Sequence, residues 1–174
     1  MRKGLFGKFI GWYCRRTYGE VLEPAVAMSH NPKVLFADLM FEQRVGKFTA
    51  LSPTLTMLAS MAVSVQIECS WCLDFGYYEA HHRGVDQAKI ESVPTWRQSD
   101  VYSGTERRVL EYAEAATATP PVVTDELAAA LRTDLGDAAF VELTMMVAVE
   151  NLRSRFNSAL GLASQGFSES CRVR

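Results

Sequence analysis

Cys69 and Cys72 stand three residues apart in the run ECSWCLDFGYYEAHHRG at residues 68–84, and such a pair can do chemistry that neither thiol does alone. A thiol attacks only as its thiolate, and an unperturbed pKa of ~8.5 leaves little thiolate at neutral pH. At the first turn of a helix, unpaired N–H groups and the positive end of the dipole stabilise the anion. A spacing of three puts the sulfurs roughly 60° apart around a helix. They can close a small disulfide, with one sulfur attacking and the other resolving. Zinc is the competing use, but a structural site takes four ligands and one CxxC supplies two. His81 and His82 fall at roughly 180° and 280° from Cys72 on a straight helix, away from the sulfurs, and suit a solvated helix end; His30 could approach only through the fold. Glu68 precedes Cys72 by four residues and shares its face if the backbone stays helical. There it is a base for a thiol proton, or an anion opposing ionisation, or simply a helix-end carboxylate in water. Trp71 reads as core packing. Arg153 and Arg155 follow Glu150 and Asn151 and read as an internal ion-pair network that reaches a thiolate only if their helix packs nearby.

The elements around this pair carry helical spacing, with strand alternation nearly absent. A helix is expected over about 32–46, on Val34, Leu35, Leu39, Met40 and Val45. Ser52 and Pro53 are an N-cap and first-turn pair for a helix bearing Leu55, Leu58, Ala59, Ala62, Val63 and Ile67. It is apolar on most sides and therefore central. The helix after the CxxC runs to His82 and stops at Gly84. Asp86 caps a short helix toward Glu91, and residues 92–102 read as a loop. Ser103 and Glu106 form a capping box for a helix over 104–117, ended by Pro120 and Pro121. Thr124 caps the next, and Gly136 separates it from a last long helix, Asp137 to Leu160, closed by Gly161. The tail from Ser164 reads as polar and frayed.

A shift of 85 residues sets MLASMAVSVQIECSWCLDFG (57–76) against ELTMMVAVENLRSRFNSALG (142–161). Leu58, Met61 and Gly76 meet Leu143, Met146 and Gly161, which suggests an internal helical duplication. Ser154 and Asn157 then take the places of Cys69 and Cys72, and the second copy is an echo without thiols.

The chain has 174 residues, 48% hydrophobic and 22% charged, with a net charge of −2. This is ordinary globular composition with material for one core, and its charge gives no footprint for nucleic acid. Four cysteines do not make a disulfide scaffold, and Cys14 and Cys171 read as isolated and inert. The opening MRKGLFGKFIGWYCRR is interrupted by Lys8 and closed by Arg15 and Arg16, without a small-residue cleavage site. It reads instead as a helix docking Leu5, Phe6 and Phe9 on the fold or a neighbouring subunit. No uninterrupted apolar stretch long enough to span a membrane occurs, so membrane contact is not expected and a cytoplasmic location is.

CSWCLDFG with Ala80 and Gly84, PTLTMLASMAVSVQIECSWC before it, VELTMMVAVENLRSRFNSALG and the upstream EPAVAMSHNPKVL together resemble the carboxymuconolactone decarboxylase family, in its alkylhydroperoxidase D (AhpD)-like branch. The resemblance covers roughly residues 20–162, leaving 1–19 as an extension and 163–174 as a tail of a single domain. It implies an all-α fold, a homo-oligomer (trimer or hexamer) and peroxidase activity through the cysteine pair. Cys72 is then the nucleophile, Cys69 the proton donor and resolver, and Glu68 an added candidate base. The substrate is a small peroxide or disulfide. No cofactor is bound, and an external dithiol, such as a lipoyl-carrying protein, is the reductant. The chain departs from AhpD at its proton relay, because Met57, Trp71 and Gly76 occupy the places of its glutamate and two histidines. The other readings are a non-catalytic oligomeric scaffold or small-molecule binder that lost the relay, and a lyase acting on a lactone.

Overall fold

Helix-forming runs are punctuated by caps, and every described element is helical. The structure, a computed structural model, describes residues 5–171. The docking side read from Leu5, Phe6 and Phe9 lies outside the side chains it describes. The chain divides into two units, one up to Phe48 and one from Thr49.

The first unit holds α1 (Leu5–Tyr18), α2 (Glu23–Met28) and α3 (Pro32–Val45). Asn31 starts α3 by accepting the Lys33 N–H at 3.2 Å, with Pro32 in the first turn. Leu35 and Val45 are buried, whereas Val34, Phe36, Leu39 and Met40 are exposed.

The second unit holds α4 (Pro53–Ile67), α5 (Ser70–His82), α6 (Gln87–Ser92), α7 (Gly104–Thr117), α8 (Asp125–Leu135) and α9 (Asp137–Ala159). Helix α4 is central: every residue from Met57 to Ser64 is buried, and α5, α7 and α9 pack around it. Its Leu58 and Val63 meet Val109 and Leu110 of α7, Leu131 of α8 and Leu143 and Val147 of α9 in one core. Burial on all sides explains its lack of a polar face. Its entry is tied to α9, whose Glu142 carboxylate accepts the N–H groups of Ala50 and Leu51 at 2.9 and 3.0 Å.

The expected caps form. Ser52, Asp86 and Thr124 each accept a first-turn N–H, and Ser103 and Glu106 make the reciprocal box. Two expectations change. Residues 93–98 form a 3-10 turn rather than an open loop, held because Trp96 is buried and donates its indole N–H to Glu114 at 2.8 Å. The described part of the tail after Ser164 is not frayed: it packs on α5 and forms a second 3-10 turn, Phe167–Cys171. Among the described residues, no helix is long and apolar enough to cross a membrane.

Candidate active site

The cysteine pair is placed by the way α4 stops. Glu68 adopts a left-handed conformation, φ 59°. The N–H of Glu68 then reaches the Val65 carbonyl at 3.1 Å, and that of Cys69 reaches the Ser64 carbonyl at 3.0 Å, the two bonds of a Schellman closure. The same reversal presents Cys69, in extended conformation, as the N-cap of α5. Glu68 is thus off the helix that carries Cys72, and its side chain is exposed. The shared helix face on which its role as base rested does not exist.

Cys69 and Cys72 are joined as a disulfide, with Cα atoms 5.3 Å apart. The Cys69 sulfur accepts the Cys72 backbone N–H at 3.3 Å, the capping geometry that stabilises a thiolate once the bond is reduced. Both residues are nearly enclosed, Cys69 at 1% and Cys72 at 6% exposure. Cys72 is the more accessible, which limits an attacking partner to something small or narrow-ended.

Helix α9 supplies what the sequence reading did not foresee. Asn157 donates its side-chain N–H to the Cys72 sulfur at 3.4 Å. It is the residue that the 85-residue shift sets against Cys72, and it lies on Cys72 itself. One and two turns earlier on α9 come Ser154, fully buried, and Glu150, 6% exposed. The Glu150 carboxylate accepts the hydroxyls of Ser64 (3.0 Å) and Ser154 (3.2 Å) and the Arg153 guanidinium (3.2 Å). Burial pushes its pKa above the ordinary value, and the Arg153 charge and these hydrogen bonds only partly offset that. Arg153 therefore serves an internal ion pair, and Arg155 bonds Asn151 at 3.4 Å.

The positions of the AhpD relay are filled by packing. Met57 is buried in the core. Trp71 stacks on Phe75, with centroids 4.9 Å apart, and donates its N–H to Gln165 at 2.7 Å. At Gly76 a Cβ would stand 2.6 Å from the Met61 sulfur, so any side chain there requires Met61 to move. His81 and His82 are exposed at the end of α5, and His82 bonds the Tyr78 carbonyl.

Asp74, two residues after Cys72, anchors the tail. Its carboxylate accepts the backbone N–H groups of Gln165, Gly166, Phe167 and Ser168 at 2.7–3.0 Å. Burial raises its pKa, but the N–H and hydroxyl of Ser168 and the N–H groups of Phe167 and Gln165 outweigh that and hold it below the ordinary carboxylate value. Phe167 packs edge-on against Phe75 at 5.4 Å. Beside the tail lies an open cleft of about 510 Å³, lined by Met61, Leu73 and Ile90 together with Ser70, Asp74 and Ser168. Ser70 lies between the cysteines in sequence, so the cleft borders the first turn of α5.

An all-helical domain with a capped dithiol at a helix start is the class that fold and site define. The chain belongs to the carboxymuconolactone decarboxylase family. The family's sequence pattern matches residues 32–115, and the chain is 37% identical over 166 residues to the uncharacterized protein YnjA of Escherichia coli (strain K12), covering 93% of this chain and 88% of that one. Solved structures share the fold. A peroxidase-related protein from Silicibacter sp. TM1040 matches with a TM-score of 0.83 and 17% identity, over 99% of this chain and 92% of that one. The debrominase Bmp8 gives 0.81 and 19%, over 95% and 89%. An Agrobacterium tumefaciens protein of unknown function, named as a candidate antioxidant defence protein AhpD, gives 0.74 and 23%, over 79% and 94%.

Proposed function

We propose that this protein is an AhpD-like thiol-dependent oxidoreductase whose Cys69–Cys72 pair cycles between dithiol and disulfide, reducing a small hydroperoxide or disulfide. The observation that carries this reading is the closed pair at the start of α5, with backbone and Asn157 N–H groups directed at its two sulfurs. In the peroxide reaction the Cys72 thiolate attacks one peroxide oxygen and the O–O bond breaks. The alkoxide leaves and takes up a proton, and Cys72 becomes a sulfenic acid. The Cys69 thiol then attacks that sulfur, water leaves, and the disulfide forms. An external dithiol, of lipoyl type in this proposal, returns two electrons and two protons and is itself oxidised to a disulfide. We place the protein in the cytoplasm, where such a pair can be kept reduced, as a trimer or hexamer.

A second reading has its own support. Met61 at Gly76, buried Met57 and the near-enclosure of both sulfurs suit a scaffold or small-molecule binder that kept the fold and replaced the relay by packing. General acid–base assistance is typically worth about 10²–10⁴-fold, so an enzyme without it is slow unless another group substitutes. The fold neighbour Bmp8 is a debrominase, also solved as a cysteine-to-alanine variant with 2,3,4-tribromopyrrole, which makes a small halogenated ring a second substrate class to assay.

The deciding experiment measures hydroperoxide consumption driven by a lipoyl-type dithiol, with wild type, Cys72→Ser and Cys69→Ser compared. Turnover that falls to the uncatalysed background in both variants supports the cycle. Equal rates in all three remove the cysteine mechanism and leave the scaffold.

A further inference from the structure

The buried carboxyl of α9 is unused by the cycle just described, yet it is bonded to the same turn that carries the thiols. Ser64 is the junction. Its carbonyl accepts the Cys69 N–H at 3.0 Å and its hydroxyl donates to Glu150 at 3.0 Å. Two turns beyond Glu150 on the same helix, Asn157 donates to the Cys72 sulfur. Glu150, Ser154 and Asn157 follow at spacings of four and three, one continuous face of α9, and all three are buried. The Cys69 end of the pair is therefore tied to Glu150 through Ser64, and the Cys72 sulfur is bonded by Asn157, which lies on the same buried face of α9 as Glu150.

We propose that Glu150 is a proton-linked positioning residue of the Cys69–Cys72 couple: its ionisation and the formation of a thiolate oppose one another across the buried contact between α4, α5 and α9. This rests on the redox reading above and adds the group that would substitute for the relay missing at Met57, Trp71 and Gly76. Reduction of the disulfide breaks the S–S bond, takes two electrons and two protons from a dithiol, and leaves two thiols. When one thiol ionises, the new anion and a carboxylate at Glu150 lie along the same buried contact of α4 and α9, where screening by water is weak and like charges repel. A proton on Glu150 relieves the repulsion, so thiolate formation and carboxyl protonation are coupled.

The surroundings leave few other groups to confuse with this coupling. From its own helix Glu150 faces Arg153, which remains cationic throughout, while Arg155 bonds Asn151. From α4 it meets the Ser64 hydroxyl, itself within 3.0 Å of the Ser60 carbonyl. From α7, Thr117 bonds Asn151 at 2.9 Å and does not titrate. The Arg132–Asp137 pair joins α8 to the start of α9, 13 residues and roughly 20 Å along the helix. From α5 come the two cysteines, and Asp74, whose carboxylate is occupied by the tail.

The test follows alkylation of Cys72 by iodoacetamide in the reduced protein across pH, for wild type, Glu150→Gln and Ser64→Ala. It needs no peroxide or physiological substrate. The expected wild-type profile has two steps, and Glu150→Gln reduces it to one. Above the Glu150 titration the Gln variant alkylates on the order of three- to tenfold faster, since a full pKa unit is tenfold in thiolate at pH values below the thiol pKa. Below that titration the two proteins coincide, and Ser64→Ala narrows the difference between the steps. As a measurement on the unaltered protein, the infrared difference spectrum between disulfide and dithiol forms is expected to show a carboxyl carbonyl band that Glu150→Gln lacks. Superimposable alkylation profiles and no carboxyl band overturn the role of Glu150 while leaving the redox cycle intact. A coupled profile without turnover of any peroxide or disulfide supports Glu150 and removes the proposed activity. A disulfide that cannot be reduced in the folded protein overturns both.

Discussion

Glu68 and Asn157 divide the residue-scale question between them. Glu68 sits in the left-handed region at φ 59° with its carboxylate exposed, which costs a non-glycine residue about 1–2 kcal/mol. Replacing it by glycine removes that cost and the carboxylate together. Glu68→Gly is expected to raise unfolding free energy by about 1 kcal/mol in denaturant titration, with thiol reactivity unchanged; a loss of reactivity would restore the carboxylate as the base. Asn157→Ala removes an N–H from the Cys72 sulfur. A hydrogen bond to a charged group is worth about 1.5–3 kcal/mol, so the thiolate fraction of Cys72 is expected to fall on the order of tenfold, read from the alkylation rate at neutral pH. Glu150 also has a stability consequence. Its pKa is raised in the folded state, so the folded protein holds its proton to higher pH than the unfolded chain. That contribution is full below the unfolded value of about 4.3 and is lost as pH rises through the folded pKa. Glu150→Gln is expected to flatten this loss in melts followed by circular dichroism.

At the scale of elements, the anchor between α5 and the tail gives the clearest pH signature. Asp74 is held below its ordinary pKa by the N–H groups of residues 165–168. The stabilisation is therefore present above about pH 4 and is lost as pH falls through the depressed value. The protection of amides 165–168 against hydrogen exchange, relative to the intrinsic rate at each pH, is expected to fall on acidification, and to be lower at neutral pH in Asp74→Asn, whose neutral side chain loses charge-assisted bonds worth on the order of 2 kcal/mol. This anchor also marks the limit of what the sequence disclosed. Caps are local: Ser52, Asp86, Ser103 with Glu106, Thr124 and Gly84 all act within a few residues, and each was legible. The partners of Asp74 lie 91–94 residues away, and Ser64 and Glu150 lie 86 apart. No spacing rule within one helix exposes such pairs. The motif located Cys69 and Cys72, but the Asn157 contact, the buried Glu150 and the seated tail depend on how α4, α5 and α9 pack. The shared face proposed for Glu68 and Cys72 required the helix to continue, and one left-handed residue ends it there instead.

At the scale of the whole molecule, the outward side of α9 is the notable surface. Val141, Met145 and Leu152 are 67%, 44% and 53% exposed, and their spacing sets them along one side of the helix. In the first unit, Val34, Phe36, Leu39 and Met40 of α3 are exposed as well. Apolar side chains grouped on a helix face are suited to burial by another subunit, in line with the proposed homo-oligomer. Light scattering coupled to gel filtration is expected to give a trimer or hexamer, and Val141→Glu with Leu152→Glu to shift it toward smaller species. A wild-type monomer would count against the assembly.

The seating of residues 165–168 on Asp74 bears on how the protein should be handled at the bench. An affinity handle fused after Arg174 would hang from a segment that packs on Trp71 and borders the sulfurs' turn, so traction or bulk there would load the cysteine-bearing end of α5. Purification from the opposite terminus avoids that artefact, and comparing the two preparations would reveal how firmly the seated segment governs thiol reactivity.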